Sequence, residues 1–192
     1  MQDLIIKRFK ESAELKIAFA EKNCDKIIEV VHLIAGALHS GNKIMLFGNG
    51  GSAADAQHIA AEFVNRLQKS KRDRPPLAAL ALTTDTSVLT SIGNDSDFSN
   101  IFSRQIQALG KKGDIAWGIS TSGDSPNMIM AIKTAQEMEI TTLGLTGKGG
   151  GEMGTLADHH LHVESQDVTR IQEVHITLAH IICELVEQKL LF

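Results

Sequence analysis

Two pairs of side chains that can hold a metal ion or move a proton lie far apart along the chain. His58 and Glu62 are four residues apart, which in a helix puts both on one face, one turn apart. Such a pair can share a metal ion, or act as a base and the group that orients it, although most pairs of this kind are surface hydrogen bonds. Gln172 and His180 are eight residues apart, about 80° around an ideal helix, so they share a face only loosely.

Gln172 and His180 each have a structural interpretation as well. Thr169 followed by Gln172 matches a capping box, in which two side chains bond the first backbone N–H groups of a helix. His180 lies among aliphatic residues such as Ile176 and Ile181, where a histidine is more often a core residue than a catalyst. Spacing alone leaves both interpretations open.

Two loops rich in glycine and hydroxyl side chains follow predicted strands and could hold a phosphate. The first is Gly48-Asn49-Gly50-Gly51-Ser52. Its glycines let the backbone approach an anion closely, and the N–H groups that begin the next helix point at that anion. A plain strand-to-helix turn with Ser52 as the N-cap explains the same residues about as well.

The second loop reads Ser120-Thr121-Ser122-Gly123-Asp124-Ser125 and is followed by Pro126. Ser125 suits the N-cap of a helix, and Pro126 suits its first position. One cap explains one serine, but not four hydroxyl residues within six positions at the end of a strand. Hydroxyl and helical N–H donors with little positive charge suit a sugar phosphate that must be released. Neither a P-loop nor a dinucleotide-binding glycine pattern occurs in the right place.

Weaker candidates lie elsewhere in the chain. Asn94-Asp95 is predicted in a polar loop after the second strand and could bind sugar hydroxyls or form a turn. Arg66, at the end of the helix that carries His58, could offset phosphate charge or simply suit a helix C-terminus. The glycine-rich segment 146–151 is predicted to be a flexible connection. Three clustered histidines are predicted to be strand-edge or interface residues rather than a metal site: His159, His160 and His162.

Hydrophobic periodicity predicts strands alternating with helices, which is typical of an α/β fold with a parallel sheet covered on both faces. In such folds ligands bind beyond the carboxyl ends of the strands, where both candidate loops lie. The predicted strands are 43–47, 77–82, 115–119, 141–145 and 160–163. The predicted helices are 2–39 (one or two helices), 53–68, 98–109, 126–138, 151–157 and 170–190.

Composition fits a single domain over residues 1–192, with 1–40 as a helical segment for oligomer contacts and 41–192 as the α/β core. A net charge of -4 gives no footprint for nucleic acid, and no apolar run is long enough to span a membrane. The beginning of the chain has no leader-like apolar region. Cys24 and Cys183 lie far apart in helical patterns and are predicted to be buried free thiols, so a cytoplasmic protein is expected.

The motifs, taken in order, resemble the sugar isomerase (SIS) domain family. Each motif is modestly specific, whereas the ordered set is highly specific and covers nearly the whole chain, from about residue 40 to 183. The matching segments are Gly48–Ser52, His58 with Glu62, Gly93–Asp95, Ser120–Gly123 with Ser125, and Arg170–His175 followed by His180. Within the family, the chain is similar to members that isomerise sedoheptulose 7-phosphate.

This resemblance implies a three-layer α-β-α sandwich with a five-stranded parallel sheet, and a homotetramer with active sites at subunit boundaries. It implies a product, D-glycero-D-manno-heptose 7-phosphate, that feeds lipopolysaccharide heptose synthesis in a bacterium. It also implies zinc, with Glu62 as the base and His180 as the acid. A carboxylate that binds zinc tightly is a weaker base, so the role of the zinc, catalytic or structural, is left open.

The residues that the resemblance assigns fall into two groups. Those expected to bind the substrate are Asn49, Gly50, Gly51, Ser52, Arg66, Asn94, Asp95, Ser120, Thr121, Ser122, Ser125, Thr169 and Gln172. Those expected to bind zinc are His58, Glu62, Gln172 and His180.

Two alternatives remain beside this interpretation. One family relative is a non-catalytic tetramer that binds a DNA-replication initiator protein, and segments such as 84–90 and 107–110 resemble it. In that relative the positions of Glu62 and His180 carry non-catalytic residues, whereas this chain keeps both, which favours an enzyme. The other alternative is an isomerase for a different sugar phosphate.

Overall fold

The computed structural model describes residues 1–65, 74–147 and 149–190. Within them the helices are α1 (Gln2–His39), α2 (Gly51–Val64), α3 (Thr86–Asp95), α4 (Ser103–Leu109), α5 (Pro126–Glu137), α6 (Gly151–Leu156) and α7 (Val168–Leu190). The strands are β1 (Ile44–Gly48), β2 (Ala79–Ala81), β3 (Ile115–Ser120), β4 (Thr141–Gly147) and β5 (His159–Val163). A single 3-10 turn spans Phe98–Asn100. No helix in these ranges is both long and apolar enough to cross a membrane.

The five strands form one parallel sheet in the order β2-β1-β3-β4-β5. The inner strands β1 and β3 are buried along their whole length, because both of their faces are covered by helices. Their apolar residues alternate between two cores. Ile44 and Leu46 of β1 lie in the core formed with α1, α2 and α7, and Met45 and Phe47 lie in the core formed with α4, α5 and α6. The predicted α/β sandwich with five parallel strands is confirmed.

One helix was not predicted, and it changes the setting of two candidate residues. The segment Thr86–Asp95 forms α3, so Asn94 and Asp95 lie in its last turn rather than in a loop. Its threonines and serines are weak helix formers, but the Asp85 side chain accepts a hydrogen bond from the N–H of Val88 and caps the first turn. The predicted loop at Asn94-Asp95 is therefore wrong.

The ends of other helices also differ from the prediction. The predicted helix 98–109 is interrupted: the 3-10 turn ends at Asn100 and α4 begins at Ser103. Helix α2 begins at Gly51, and its N-cap is Gly50, whose φ of 55° suits glycine. Ser52 therefore lies inside the first turn, and its alternative role as N-cap is wrong.

The capping box predicted at the beginning of the last helix is wrong as well. The Asp167 carboxylate, not the Thr169 side chain, accepts hydrogen bonds from the N–H groups of Thr169 and Arg170, at 2.9 and 3.4 Å. Thr169 is already inside α7 and donates its hydroxyl to the same carboxylate. Gln172 is consequently not needed as a capping residue, and its structural explanation is lost.

Candidate active site

His58, Glu62 and His180 converge where α2 packs against α7. The Nε2 atoms of His58 and His180 are 2.8 Å apart, and the His58 Nε2 lies 3.6 Å from the Glu62 Oε1. One ligand atom from each of the three residues lies within 4.8 Å of the others, which makes them a possible metal site. The His58 side chain is 47% exposed and that of Glu62 19%, so the cluster opens to solvent. The four-residue spacing on α2 therefore serves a shared site, and His180 is not a core residue.

Gln172 lies in the second turn of α7, and its side chain packs against Gly51 at the beginning of α2. Its Nε2 atom would be only 2.2 Å from a Cβ added to Gly51. The two residues of α7 that looked loosely aligned in sequence, Gln172 and His180, thus both face α2. Gly51 is the residue that leaves room for the glutamine amide.

Asp55 is a site residue that the sequence reasoning missed. It lies one turn before His58 on the same face of α2, and its Oδ2 is buried without a hydrogen-bond partner among the described residues. Burial raises the pKa of the Asp55 carboxyl, and the nearby His58 and His180 oppose that rise. The signal was present in the sequence as Asp-x-x-His-x-x-x-Glu, three acidic or basic groups on one helical face.

The two candidate phosphate loops lie side by side, because Gly48 at the end of β1 is paired with Ile119 near the end of β3. A pair of amide side chains joins them. Asn49 donates to the Asn127 Oδ1 at 2.9 Å, and Asn127 donates to the Asn49 Oδ1 at 2.8 Å. Asn49, predicted to bind substrate, thus uses its side chain to hold the first loop against the start of α5. Asn127, which had no assigned role, is its partner.

Two hydroxyl groups of the second loop are held by hydrogen bonds within the loop. The Ser120 Oγ accepts a hydrogen bond from the Gly123 N–H at 3.1 Å, and the Ser122 Oγ accepts one from the Asp124 N–H at 3.3 Å. The two hydroxyls also lie 3.5 Å apart, and either can donate to the other, which leaves the second proton for an anion. Ser125 precedes α5 as predicted, but its side chain makes no capping hydrogen bond. Thr121 and Ser125 are half-buried, while Ser52 and Ser120 are buried.

The glycine-rich segment after β4 supports this hydroxyl loop. A Cβ added to Gly123 would lie 2.0 Å from the Gly150 carbonyl oxygen, and one on Gly151 would lie 2.6 Å from the Asp124 Oδ1. Asp124 accepts a hydrogen bond from the Glu152 N–H at 2.9 Å. The segment was predicted to be a flexible connection, but it packs backbone against backbone under the loop that carries Ser120 and Ser122.

The remaining predicted residues are not joined to this cluster by any contact of the described residues. Asn94 and Asp95 are exposed and hydrogen-bond each other at 2.7 Å. The Thr169 hydroxyl is engaged by Asp167 at 2.6 Å. Arg66 lies outside the described residues.

The donor set of the cluster fits a transition-metal ion. Two imidazole nitrogens and a carboxylate oxygen are ligands that zinc accepts, which leaves a fourth tetrahedral position for an amide oxygen or a substrate. The short contact between the His58 and His180 Nε2 atoms requires one of them to carry a proton; with both protons on Nδ1, both lone pairs can point at one cation. The side-chain chemistry therefore suits a metal, a base and an acid in one place, partly on the helix that follows the first candidate phosphate loop.

Comparisons with known proteins agree with this arrangement. The model of the SIS domain matches residues 8–147. A phosphoheptose isomerase from Aquifex aeolicus (strain VF5) is 53% identical over 188 residues, covering 98% of this chain and 97% of that protein. The solved structure of phosphoheptose isomerase GmhA from Neisseria gonorrhoeae is 41% identical, with a TM-score of 0.90 over 97% of this chain and 98% of that one. A phosphoheptose isomerase from Francisella tularensis, 34% identical, also has a TM-score of 0.90 and covers 98% of both chains. The chain therefore belongs to the SIS domain family and, within it, to the phosphoheptose isomerase family.

Proposed function

We propose that this protein is an aldose–ketose isomerase that converts sedoheptulose 7-phosphate to D-glycero-D-manno-heptose 7-phosphate through an enediol. The observation that carries the proposal is the convergence of His58, Glu62 and His180, two of which lie on the helix that begins directly after the first candidate phosphate loop. Relatives about half identical over nearly the whole chain are named phosphoheptose isomerases, which supports the same substrate here. The product is a phosphorylated heptose of the kind used for lipopolysaccharide. The cytoplasm is the compartment we assign, in keeping with two free cysteines, although the prediction that both are buried is wrong: Cys183 is buried and Cys24 is exposed.

Glu62 and His180 divide the proton transfers between carbon and oxygen. Glu62 removes a proton from C1 of the ketose while His180 gives a proton to the oxygen on C2, which leaves an enediol. Glu62 then returns its proton to C2, and His180 takes the proton from the oxygen on C1, which becomes the aldehyde. Each group ends in its starting state, so the cycle balances without another reactant.

The phosphate group is assigned to the two loops. The hydroxyls of Ser52, Ser120, Thr121, Ser122 and Ser125 and the first N–H groups of α2 and α5 are the donors we expect to bind it. Binding of the phosphate on C7 fixes the position of the sugar chain in the site, so C1 and C2 meet Glu62 rather than solvent.

Zinc is the metal that we propose for the cluster, held by His58, Glu62, His180 and the amide oxygen of Gln172. When bound, it would act as a Lewis acid that stabilises negative charge on the sugar oxygens. Removal of metal by a chelator should abolish turnover, and added Zn²⁺ should restore it. Isothermal titration of the metal-free protein with Zn²⁺ gives an independent readout, which should show weaker binding for His58→Ala.

A homotetramer with shared active sites is the assembly that we propose. Helix α1 is about 57 Å long, and its first nine residues, 2–10, are exposed. Ile5, Ile6 and Phe9 of this segment are 56%, 56% and 75% exposed, although an isolated helical segment of this length is marginal without packing. Packing against other copies would bury these side chains. Sedimentation equilibrium should give a tetramer that Phe9→Glu dissociates.

The alternative function, binding of a replication initiator protein, is not favoured, because the chain keeps both Glu62 and His180 and both belong to the same cluster. The deciding experiment is turnover of sedoheptulose 7-phosphate in deuterated water, where deuterium should enter the product at C2. Glu62→Gln should abolish turnover while its circular dichroism spectrum and unfolding midpoint stay near those of the wild type. Wild-type protein that is folded and loaded with zinc but gives no heptose phosphate would refute the assignment.

A further inference from the structure

Arg74 is a buried arginine that lies 12 positions after Glu62 in the sequence. Its side chain is only 3% exposed, which is unusual for a residue whose charge needs a partner. All of its guanidinium nitrogens donate hydrogen bonds. Nη2 donates to the Glu62 carbonyl oxygen at 2.7 Å, Nη1 to the carbonyls of Phe63 and Pro75 at 2.9 and 3.1 Å, and Nε to the Glu187 carboxylate at 2.6 Å.

Two of these contacts, with the carbonyls of Glu62 and Phe63, are with the last turn of α2. The final carbonyl groups of a helix accept no hydrogen bond from inside the helix, and the helix dipole favours a positive charge beside them. No basic residue of α2 itself occupies that last turn. Arg74 therefore supplies the missing cap, and one of the two carbonyls it binds belongs to Glu62, the residue that we propose as the base.

The contact with Glu187 ties this cap to α7. Glu187 lies seven residues after His180, close to two helical turns, so both point to the same side of α7. Cys183 lies between them, and burial, with the negative charges of Glu62 and Glu187 nearby, raises the pKa of its thiol to about 12. The two helices that carry the reacting groups are thus in contact at the cluster and are joined again about two turns away by Arg74.

We propose that the Arg74–Glu187 pair is a positioning clamp for catalysis: it fixes the last turn of α2 against α7 and so sets Glu62 relative to His180. A buried ion pair with these extra hydrogen bonds is costly to break, because removal of one partner takes an opposite charge away from the other in a buried place. The clamp does not touch the phosphate loops. Its loss should therefore lower kcat and leave KM nearly unchanged. This inference rests on the proposed isomerase function.

The test compares Arg74→Met, Arg74→Lys and Glu187→Gln with the wild type. Each is assayed for kcat and KM with sedoheptulose 7-phosphate and for its free energy of unfolding in urea. The absorption spectrum of the metal-free protein with added Co²⁺ is recorded as well, because its visible bands report ligand geometry without turnover. We expect Arg74→Met to lower kcat by about tenfold or more, with KM within about twofold, and to change the Co²⁺ spectrum. Arg74→Lys should recover part of kcat, and Glu187→Gln, which keeps a hydrogen-bond acceptor, provides a milder folded variant.

Lys43→Met is the matched control. Lys43 pairs with the fully buried carboxylate of Asp114 at 2.5 Å, a contact that joins the segments before β1 and β3 rather than α2 and α7. The Lys43→Met variant should lose stability as Arg74→Met does, but it should keep kcat within about twofold of the wild type and retain the wild-type Co²⁺ spectrum.

Two results would overturn the clamp. One is a folded Arg74→Met, or a folded Glu187→Gln if the former does not fold, with wild-type kcat and Co²⁺ spectrum. The other is an equal loss of kcat in Lys43→Met at equal loss of stability. A wild-type protein that binds Co²⁺ but does not turn over would refute the isomerase function, while the spectra of the variants would still decide the clamp. A wild type that neither binds Co²⁺ nor turns over would overturn both.

Discussion

The substitution Gly51→Ala should displace the Gln172 amide without destabilising the fold, so it tests whether the position of this amide matters for catalysis. The new Cβ would lie 2.2 Å from the Gln172 Nε2, whereas an ordinary contact begins at 3.4 Å, so the amide must move by about 1.2 Å. The obstacle is the far end of a flexible side chain, and alanine suits a helix better than glycine, by up to about 1 kcal/mol. Stability should therefore be kept or slightly raised. A misplacement of about 1 Å at a reacting centre costs on the order of 100-fold in rate, which is the loss of kcat/KM we expect.

A double-mutant cycle with Gln172→Ala tests whether the methyl group acts through the glutamine. If it does, Gly51→Ala should cost about 100-fold in the wild type but less than about threefold when Gln172 is already absent. Zn²⁺ affinity measured by chelator competition should follow the same pattern. Gly36→Ala is the control, since it adds the same methyl to a helical glycine with nothing within 4 Å of the new atom.

Two outcomes would refute this reasoning. A folded Gly51→Ala with wild-type kcat/KM would mean that the glutamine amide has no role at its observed position. An equally large loss in the Gln172→Ala background would mean that the methyl obstructs something else, such as the phosphate, and not the glutamine.

Three further predictions concern the support of the site and the stability of the fold. Gly123→Ala should lose about 2–4 kcal/mol of stability and most phosphate binding, because φ is 75° and the Cβ would lie 2.0 Å from the rigid Gly150 carbonyl; urea unfolding and inorganic phosphate titration measure both. Burial lowers the pKa of His175 to about 4, so its contribution to stability is complete above about pH 6.5 and is lost as pH falls towards 4. Urea midpoints across that window should fall by the equivalent of about 3 kcal/mol for this residue, and His175→Gln should reduce the slope but not abolish it, since burial also lowers the pKa of His160 to about 4. Glu139→Gly should stabilise the fold by roughly 0.5–1 kcal/mol in the same assay, because Glu139 has a φ of 55° at the end of α5; an unchanged midpoint would contradict this.

The sheet could be predicted from the sequence because its inner strands are buried on both faces. A run such as Ile44–Phe47 has no polar residue and ends at glycine, which leaves little choice but a central strand. Helix α3 escaped prediction because its stability comes from an aspartate cap and from partial packing of Leu89 and Ile92, not from strong helix formers. Local propensity was outweighed there by tertiary contacts.

The candidate site could likewise be predicted from the sequence only in part. His58 and Glu62 could be placed together, because a helix fixes the geometry of residues four apart. The meeting of His58 with His180 spans 122 positions and depends on how α2 packs on α7, which no local pattern encodes. For the same reason Arg74 could not be found: its contacts with Phe63 and Glu187 span 11 and 113 positions.

The late position of α7 has a consequence for the synthesis of the protein. His58 leaves the ribosome long before His180, and at about 5–20 residues per second the 122 intervening residues take roughly 6–24 s. During that interval no nascent chain can be active, and the apolar sheet face that α7 covers is open to solvent. Chaperones that bind exposed apolar surface would have their opportunity then. Catalytic activity is therefore a reporter of completed synthesis: a chain cut short before its last helix would carry the candidate phosphate loops and Glu62, but not His180, the residue that we propose as the acid.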